Sequence, residues 1–324
     1  MKISKAAVRK ILVISLSNIG DIILTFPVID ILKHDFPDAK ISVVIGPKGE
    51  GLLKDNPIFE RVYIYHKRQP VGKTLAWMGE LRREQFDLVV DLRNTAIPFF
   101  IGPRYRTSFF LRRDKLQHMR HQHLNRLKSV YPFGSIPQKR YALFVSKEDE
   151  AYIDGIIRKE GPGVRSTKFV VVSPGAADEK KRWTEEGFAQ VCDSLAGEGA
   201  NILFIGDAND KPGITRIMAV MKHKAADLSG RASLTQVAHL ISRCELVITN
   251  DSAPLHLASY LDVPVVALFG PTSPERYGPW NARGVFIKKQ ADGIEDKEYM
   301  KLITPDEVLD IIHREQKILT NENL

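Results

Sequence analysis

Cysteines and long apolar runs are both scarce in this sequence. The two cysteines, Cys192 and Cys244, lie 52 residues apart, which excludes a zinc knuckle and a disulfide framework and is typical of reduced thiols in the cytosol. No apolar run approaches the ~20 residues of a membrane span. Basic residues precede the apolar run 11–16, as in a signal peptide, but this run is short and no small-residue cleavage site follows it. We therefore expect a cytoplasmic protein.

Glycine and proline are also too few for a collagen-like or disordered chain. Of the 324 residues, 44% are apolar and 27% are charged, which are ordinary values for a globular protein. A chain of this length buries a sizeable core without disulfides. Its length predicts two domains of ordinary size.

Acidic residues are almost absent between positions 104 and 128. This basic segment holds eight Lys or Arg and one acid, so it carries nearly all of the chain's net charge of +8. Such a cluster indicates an anionic partner (nucleic acid, acidic lipid headgroups or a phosphorylated substrate), although a solvated helix face would show the same charges. The eight cations are Arg104, Arg106, Arg112, Arg113, Lys115, Arg120, Arg126 and Lys128.

Short β-branched runs alternate with amphipathic stretches along the whole chain. Runs of this kind are typical of strands covered on both faces, in a mostly parallel sheet with helical crossovers. The predicted strands are 11–16, 41–45, 62–65, 88–92 and 143–145 in the first half, and 169–173, 202–205, 246–249 and 265–269 in the second. Each half therefore predicts a doubly wound α/β domain, with the Gly/Pro-rich segment 160–163 as the linker.

The first candidate motif, Ser17-Asn18-Ile19-Gly20-Asp21, directly follows the first predicted strand. Ligands of open α/β sheets bind at the carboxyl ends of strands, so this turn is well placed. Gly20 lets a substrate approach the backbone closely. Asp21 either complements the helix dipole or acts as a general base, and the spacing alone does not separate these roles.

The second motif, Thr249-Asn250-Asp251-Ser252-Ala253-Pro254-Leu255-His256, ends a very apolar predicted strand and opens a helix. Free N–H groups at a helix start suit a pyrophosphate. An acid there would repel phosphate, so we expect Asp251 to face sugar hydroxyls. Simple N-capping by Asp251 or Ser252 is the alternative.

The third motif runs from Ser173 through Gly175 to Lys180, Lys181 and Arg182. Small residues at a strand end, followed by three cations, suit neutralisation of a diphosphate, with one cation of the three in contact with it. No metal site is predicted, because the histidines at 118, 121 and 123 lie in the basic segment with a single neighbouring carboxylate.

Together these segments resemble glycosyltransferase family 9, the ADP-heptose:lipopolysaccharide heptosyltransferase family. The resemblance rests on S-x-x-G-D at 17–21, Lys181-Arg182-Trp183, N-D-S-A-P-x-H-L-A at 250–258 and F-G-P-T at 269–272. It covers nearly the whole chain. One departure is Ala176-Ala177, where some members carry hydroxyl side chains beside the diphosphate.

The resemblance implies an α/β protein with the GT-B fold, in which two Rossmann-like doubly wound domains enclose an interdomain cleft. We accordingly expect an N-terminal acceptor-binding domain over residues 1–160 and a C-terminal nucleotide-sugar-binding domain over 161–303. Residues 304–324 begin with a capping box and are expected to form a C-terminal helix that packs back on the N-terminal domain.

The resemblance also implies an inverting glycosyltransferase that moves heptose from ADP-heptose to a lipopolysaccharide core acceptor without a metal or other cofactor. Asp21 is then the catalytic base and Lys181 stabilises the leaving diphosphate. The expected donor-binding residues are Ser173, Gly175, Lys181, Asp251, Ser252, Ala253 and His256. The expected acceptor-binding residues are Ser17, Gly20, Arg104, Arg106, Arg112, Arg113 and Arg120.

The expected partners are the nucleotide-sugar donor, a phosphorylated lipopolysaccharide core and an anionic inner membrane contacted at its cytoplasmic face. Nucleic acid is not expected, and the chain is expected to be a monomer. Two alternatives stay open. The same fold serves other nucleotide-sugar enzymes, including epimerases, and a non-catalytic protein would bind anionic lipid or nucleic acid through the basic segment.

Overall fold

The alternating pattern of the sequence produces two parallel sheets, one in each half of the chain. The structure is a computed structural model that describes residues 3–15, 18–110, 116–160 and 169–321. The chain divides into two units, Met1–Phe144 and Val145–Leu324. The two sheets confirm the prediction of two doubly wound α/β domains.

The first unit contains a five-stranded sheet whose pairings are all parallel. Its strands are β1 (Lys10–Ser15), β2 (Lys40–Ile45), β3 (Phe59–Ile64), β4 (Leu88–Asp91) and β5 (Tyr105–Arg106). Their order is β3-β2-β1-β4-β5. Residues 11–15 of β1 are all buried, because helices cover both faces of a parallel sheet.

Among its described residues, the first unit has six α-helices. They are α1 (Ile19–Ile23), α2 (Phe26–Asp35), α3 (Glu50–Leu53), α4 (Val71–Arg83), α5 (Ile97–Ile101) and α6 (Met119–Lys128). The core on one face of the sheet joins Leu12, Ile14 and Val89 to Leu81 of α4 and Ile97 of α5. This packing fixes α4 against the sheet, together with α5, which follows the carboxyl end of β4.

The second unit contains a six-stranded parallel sheet. Its strands are β6 (Phe169–Ser173), β7 (Asn201–Phe204), β8 (Ala226–Asp227), β9 (Leu246–Asn250), β10 (Val265–Phe269) and β11 (Gly284–Lys288). The order β11-β10-β9-β6-β7-β8 reverses direction between β6 and β9. Such a reversal is where doubly wound sheets bind ligands, outside the carboxyl ends of their strands.

The helices of the second unit are α7 (Lys147–Glu160), α8 (Glu185–Gly197), α9 (Lys211–Val220), α10 (Leu234–Arg243), α11 (Ala253–Leu261), α12 (Pro274–Tyr277) and α13 (Pro305–Asn321). Ser233 and Gln236 form a reciprocal capping box at the start of α10, which satisfies two backbone donors. Trp183, Phe188 and Phe204 contribute to the core.

The predicted strand at 143–145 is wrong, since this segment lies in irregular structure. The backbone just before it is held by side chains instead. Asp30 Oδ1 accepts hydrogen bonds from the N–H groups of Tyr141 and Ala142 at 2.7 and 2.8 Å. Asn56 Nδ2 donates to both carbonyl oxygens at 3.0 Å. Three strands were not predicted from the sequence: β5 and β8, which are two residues each, and the edge strand β11.

The boundary between the units also differs from the expected one. It falls after Phe144 rather than after residue 160, because α7 packs on α10 of the second unit. There Asp149 accepts hydrogen bonds from Thr235 and Gln236, both at 2.7 Å. Most of the predicted linker, residues 161–163, lies outside the described residues.

The C-terminal helix α13 packs on α8 of the second unit. The expected packing of residues 304–324 on the N-terminal domain stays a prediction. The apolar residues Val308 and Ile312 of α13 are buried in the second unit's core, because they lie four residues apart on one helix face. The predicted capping box is formed, since Glu307 N donates to Thr304 Oγ1 and Thr304 N donates to Glu307 Oε2.

Candidate functional site

The predicted base Asp21 lies in the first turn of α1, directly after β1. Gly20 and Asp21 are both partly exposed, so neither is part of the core. Asn18 is the N-cap residue of α1 but makes no capping hydrogen bond through its side chain. Ser17, predicted to contact the acceptor, lies outside the described residues.

A buried polar network lies at the end of β4, and the sequence analysis missed it. Since β4 pairs with β1 and Ile14 lies opposite Asp91, this network is at the same sheet edge as the turn that bears Asp21. Asp91 accepts hydrogen bonds from the N–H groups of Arg93 and Thr95 at 2.8 and 2.5 Å. Burial raises the pKa of Asp91, and these hydrogen bonds only partly offset that effect.

The same network explains one cation of the basic segment. Arg126 is buried, and its Nε donates to the Asp91 carbonyl oxygen at 2.8 Å. Its guanidinium also donates to Asn94 Oδ1 at 2.8 Å. Asn94 has a φ of 59°, a strained conformation that such a contact stabilises. Arg126 is therefore a buried member of the basic segment, and it organises the turn after β4.

The arginines that were predicted to bind the acceptor lie on more than one element of the first unit. Arg104 and Arg106 are exposed beside β5, and Arg120 is partly buried in the first turn of α6. Burial lowers the pKa of Arg120. The His118 side chain caps α6 by accepting from Arg120 N. Arg112 and Arg113 lie outside the described residues.

In the second unit, Asp251 and Lys181 form an ion pair just beyond the carboxyl end of β9. Lys181 Nζ lies 2.7 Å from Asp251 Oδ2, and the Asp251 side chain is only 6% exposed. Thr272, which follows β10, donates its hydroxyl to the same Oδ2 at 2.6 Å. Three of the quoted motifs thus meet at one carboxylate, although Thr272 was not among the predicted site residues.

The N-terminus of α11 begins beside this carboxylate. Ser252 is the N-cap residue, but no side chain caps the helix. Its hydroxyl lies instead 3.1 Å from Thr249 Oγ1. Because Pro254 has no N–H, the backbone donors at this end belong to Ser252, Ala253 and Leu255. The capping alternative therefore does not hold for the side chain of Ser252, and the helix start stays suited to an anion.

Asn250 joins the third motif to the second. Its Oδ1 accepts from the backbone N–H of Trp183 at 3.2 Å, and its Nδ2 donates to the Pro174 carbonyl oxygen at 2.7 Å. The buried Trp183 ring in turn donates from Nε1 to the Ile303 carbonyl oxygen at 3.0 Å. These bonds hold Lys181, two residues before Trp183, at its place beside Asp251.

Ser173 and Gly175 take different parts in the site. Ser173 is the buried last residue of β6 and pairs in register with Thr249. A Cβ at Gly175 would clash with the Asp210 carboxylate, so any larger residue there would displace the Asp210 side chain. Asp210 was not predicted, although the turn Gly206-Asp207-Ala208-Asn209-Asp210 after a buried strand carries a usable signal.

Asp210 lines a cavity of about 120 Å³ with Pro174, Gly175, Arg182, Phe188 and Asn209. Burial raises the pKa of Asp210. The hydrogen bond from the Asp207 N–H and the charge of Arg182 at 4.0 Å lower it, while the negative charge of Asp207 raises it. Arg182 Nε also donates to the Ala176 carbonyl oxygen at 2.9 Å. The cavity therefore has an acidic group, a cation and apolar walls at the end of β6.

His256 lies in the first turns of α11 and is 4% exposed. Its ring stacks on Trp280 with the ring centres 5.8 Å apart. In this position it packs beneath the helix start, and its predicted contact with the donor stays a prediction.

Within the described ranges, no group of three or more His, Cys, Asp or Glu side chains is placed to hold a metal ion. Among the same residues, no helix is both long enough and apolar enough to span a membrane. Both cysteines are buried free thiols, as the sequence indicates.

Comparison with known proteins identifies the family. The family model described as glycosyltransferase family 9 (heptosyltransferase) matches residues 134–303, which is more than half of the chain. The chain belongs to glycosyltransferase family 9. The resemblance drawn from the motifs is thereby confirmed, and this family 9 protein is a glycosyltransferase.

Relatives of this glycosyltransferase agree with the assignment. It is 27% identical to lipooligosaccharide heptosyltransferase 2 of Haemophilus influenzae, over 86% of this chain and 88% of the relative. A solved ADP-heptose lipopolysaccharide heptosyltransferase II of Escherichia coli is 25% identical, with a TM-score of 0.75 over 97% of this chain and 99% of that one. A family 9 glycosyltransferase of Veillonella parvula is 24% identical, with a TM-score of 0.81 over 97% and 98% of the two chains. These structures confirm the predicted GT-B fold class.

Proposed function

We propose that this family 9 glycosyltransferase transfers heptose, with inversion, from ADP-heptose to a lipopolysaccharide core acceptor. The names of the relatives support the sugar and the acceptor, since the curated relative is a lipooligosaccharide heptosyltransferase and a solved neighbour is an ADP-heptose enzyme. The geometry of the second unit supports a nucleotide sugar as the donor.

The observation that carries the proposal is the ion pair between Lys181 and Asp251 beside the start of α11. Within the described part of the chain, both contacts of the Asp251 carboxylate are made by Oδ2, and Oδ1 accepts no hydrogen bond. A bound diphosphate would attract Lys181 and accept from the backbone donors of α11. Asp251 would then accept hydrogen bonds from the sugar hydroxyls.

Catalysis requires a base for the acceptor hydroxyl and stabilisation of the leaving group. Asp21 is partly exposed at the end of β1, where a carboxylate can accept the hydroxyl proton as the oxygen attacks the anomeric carbon. The bond from that carbon to the diphosphate oxygen breaks at the same time. Lys181 and the start of α11 stabilise the negative charge that develops on the diphosphate.

We also propose the residues that bind the acceptor and the cellular location of the protein. Gly20, Arg104, Arg106 and Arg120 contribute to acceptor binding, since a phosphorylated core favours cations. The protein acts as a monomer at the cytoplasmic face of the inner membrane, where it contacts anionic lipid. It needs no metal and binds no nucleic acid.

Calorimetric titration with ADP, ADP-heptose and UDP-glucose tests the donor. We expect binding of the two adenine nucleotides, tighter with heptose attached, and weak binding of UDP-glucose. A preference for the uridine nucleotide would contradict the proposed donor.

Product analysis with a lipopolysaccharide acceptor tests the base. We expect Asp21→Asn to lower turnover by about 10²–10⁴-fold while donor affinity stays within twofold or so of the unmodified chain. Near-normal turnover in this variant would contradict the role of Asp21.

A further inference from the structure

Four phenylalanines near the start of the basic segment are exposed instead of buried. Phe99 and Phe100 lie on α5, and Phe109 and Phe110 follow β5. Their exposures are 49%, 51%, 41% and 89%. Large aromatic side chains are normally buried, so an exposed group of them indicates a surface that another molecule covers.

The rings of Phe99, Phe109 and Phe110 form a continuous group, and these three residues with Phe100, the neighbour of Phe99 on α5, are here termed the aromatic cluster. The ring centres of Phe99 and Phe109 are 5.3 Å apart, and those of Phe109 and Phe110 are 5.7 Å apart, both with edge contacts. Such contacts hold the rings together in the absence of a surrounding core. Three rings of the cluster therefore present one apolar surface, with the exposed Phe100 next to Phe99 in the sequence.

Cations border the aromatic cluster. The guanidinium of Arg106 lies 4.1 Å from the centre of the Phe99 ring. Arg82 of α4 donates to the Phe100 carbonyl oxygen at 3.4 Å. The sequence contains no Asp or Glu between residues 92 and 113. The apolar rings are thus bordered by arginines, and no acid lies along this stretch. Such an arrangement complements a layer with an apolar interior and anionic groups at its boundary.

The exposed apolar surface continues along α4. Val71 and Leu75 are 75% and 59% exposed. They are spaced four residues apart, and Arg82 follows Leu75 by seven, so all three lie on one helix face. This face reaches the cluster at Arg82, which contacts Phe100.

We infer that the aromatic cluster inserts into the headgroup region of an anionic phospholipid bilayer. Aromatic rings favour the membrane–water interface, and arginines beside them attract acidic headgroups. This assigns the membrane contact to the four rings of α5 and the turn after β5, in addition to the charges of the basic segment. The inference rests on the proposed function only in that a lipopolysaccharide acceptor is a membrane lipid.

Tryptophan fluorescence with brominated lipids tests insertion directly. The probe is a vesicle of phosphatidylcholine containing about 30% phosphatidylglycerol, with brominated acyl chains that quench tryptophan at the interface. We expect the emission added by Phe110→Trp to shift to shorter wavelength and to be quenched. The matched control is Phe286→Trp, on β11 of the second unit, where the native ring is 45% exposed; its emission should not change.

A second variant tests the same inference without adding a tryptophan to the cluster. We expect the triple substitution of Phe99, Phe109 and Phe110 by serine to lower the vesicle partition coefficient by about tenfold or more. Phe286→Ser should leave it unchanged. Because all these side chains are exposed, circular dichroism and thermal melting should confirm that each variant folds.

Several results would overturn the inference. They are vesicle binding without quenching of Phe110→Trp, equal binding to neutral and anionic vesicles, and no binding at all. A dimer that the triple substitution dissociates would instead assign the cluster to a second copy of this chain. None of these assays contains nucleotide or acceptor, so their failure is distinct from a failure of the proposed heptosyl transfer.

Discussion

Replacing Lys181 should weaken ADP binding, whereas replacing Asp251 should not. Lys181→Met removes the cation that we assign to the diphosphate, so ADP affinity should fall. Asp251→Asn removes the carboxylate that holds Lys181 at 2.7 Å. The freed Lys181 then pairs with the diphosphate without competition, so ADP affinity should stay the same or rise.

The size of each effect follows from burial. A hydrogen bond to a charged group contributes about 1.5–3 kcal/mol, so Lys181→Met should raise the Kd for ADP about 10- to 100-fold. The same variant leaves a carboxylate with 6% exposure without its cation. Breaking a fully buried pair costs about 3–5 kcal/mol. Since the Lys181 side chain is 25% exposed, we expect a loss of about 1–3 kcal/mol in the free energy of unfolding.

The assay is calorimetric titration of the two variants and the double variant with ADP and ADP-heptose, together with urea unfolding. Lys180→Met is the matched control, because it removes the same charge from an exposed neighbouring residue. It should change neither ADP affinity nor stability by more than a small amount. The tighter binding of ADP-heptose over ADP should shrink about tenfold in Asp251→Asn, because the sugar loses a charged acceptor.

One result would refute this reasoning. If Asp251→Asn weakens ADP binding as much as Lys181→Met does, the carboxylate positions Lys181 for the diphosphate and does not compete with it. Additive effects of the two substitutions on stability would also show that the ion pair has no coupling energy.

Three further predictions follow from other parts of the molecule. Asn56→Ala should lower the free energy of unfolding by about 2–4 kcal/mol in urea titrations, because the buried Ala142 carbonyl oxygen and the partly buried Tyr141 carbonyl oxygen lose their donor. The exposed bond of Asn125 is the control, and Asn125→Ala should cost under about 1 kcal/mol. Burial raises the pKa of Asp91, so the folded chain keeps this proton to higher pH than the unfolded chain, and stability should fall as pH rises from the ordinary aspartate range to the raised pKa. Asp91→Asn should flatten that part of the stability profile, and an unchanged slope would contradict the assignment. Burial raises the pKa of Cys192, and that of Cys244 to about 12, so a disulfide reagent at neutral pH should label neither thiol until the chain unfolds; rapid labelling of the native protein would contradict their burial.

Strands with apolar residues on both faces could be predicted well from the sequence. The runs 169–173 and 265–269 coincide with β6 and β10, because burial on both faces leaves a continuous apolar run. The run 143–145 is also apolar, yet the adjacent backbone is bound by Asp30 and Asn56, which are distant in sequence. The apolar pattern of residues 143–145 gives no information about hydrogen-bond partners this distant in the sequence, so it predicted a strand.

Site residues were predictable where a motif follows a strand. Lys181, Asp251 and the start of α11 lie together because β6 and β9 are parallel neighbours whose carboxyl ends meet at one edge. Asp210 and the network around Asp91 were missed, since neither belongs to a quoted motif. Their importance follows from contacts with Gly175 and with Arg126, which lie elsewhere along the chain.

By itself the sequence determined two doubly wound α/β domains, the motifs at their strand ends and the family. Periodicity, apolar runs and the order of the motifs are properties of the sequence, and they can be recognised without the tertiary structure. Only the tertiary structure decided that Lys181 pairs with Asp251 across 70 residues of chain, that α13 packs on the second unit and that Arg126 is buried while Phe110 is exposed. Such pairings depend on which strand ends become neighbours and on which helix faces the sheet leaves uncovered, and both are settled only when the sheets assemble.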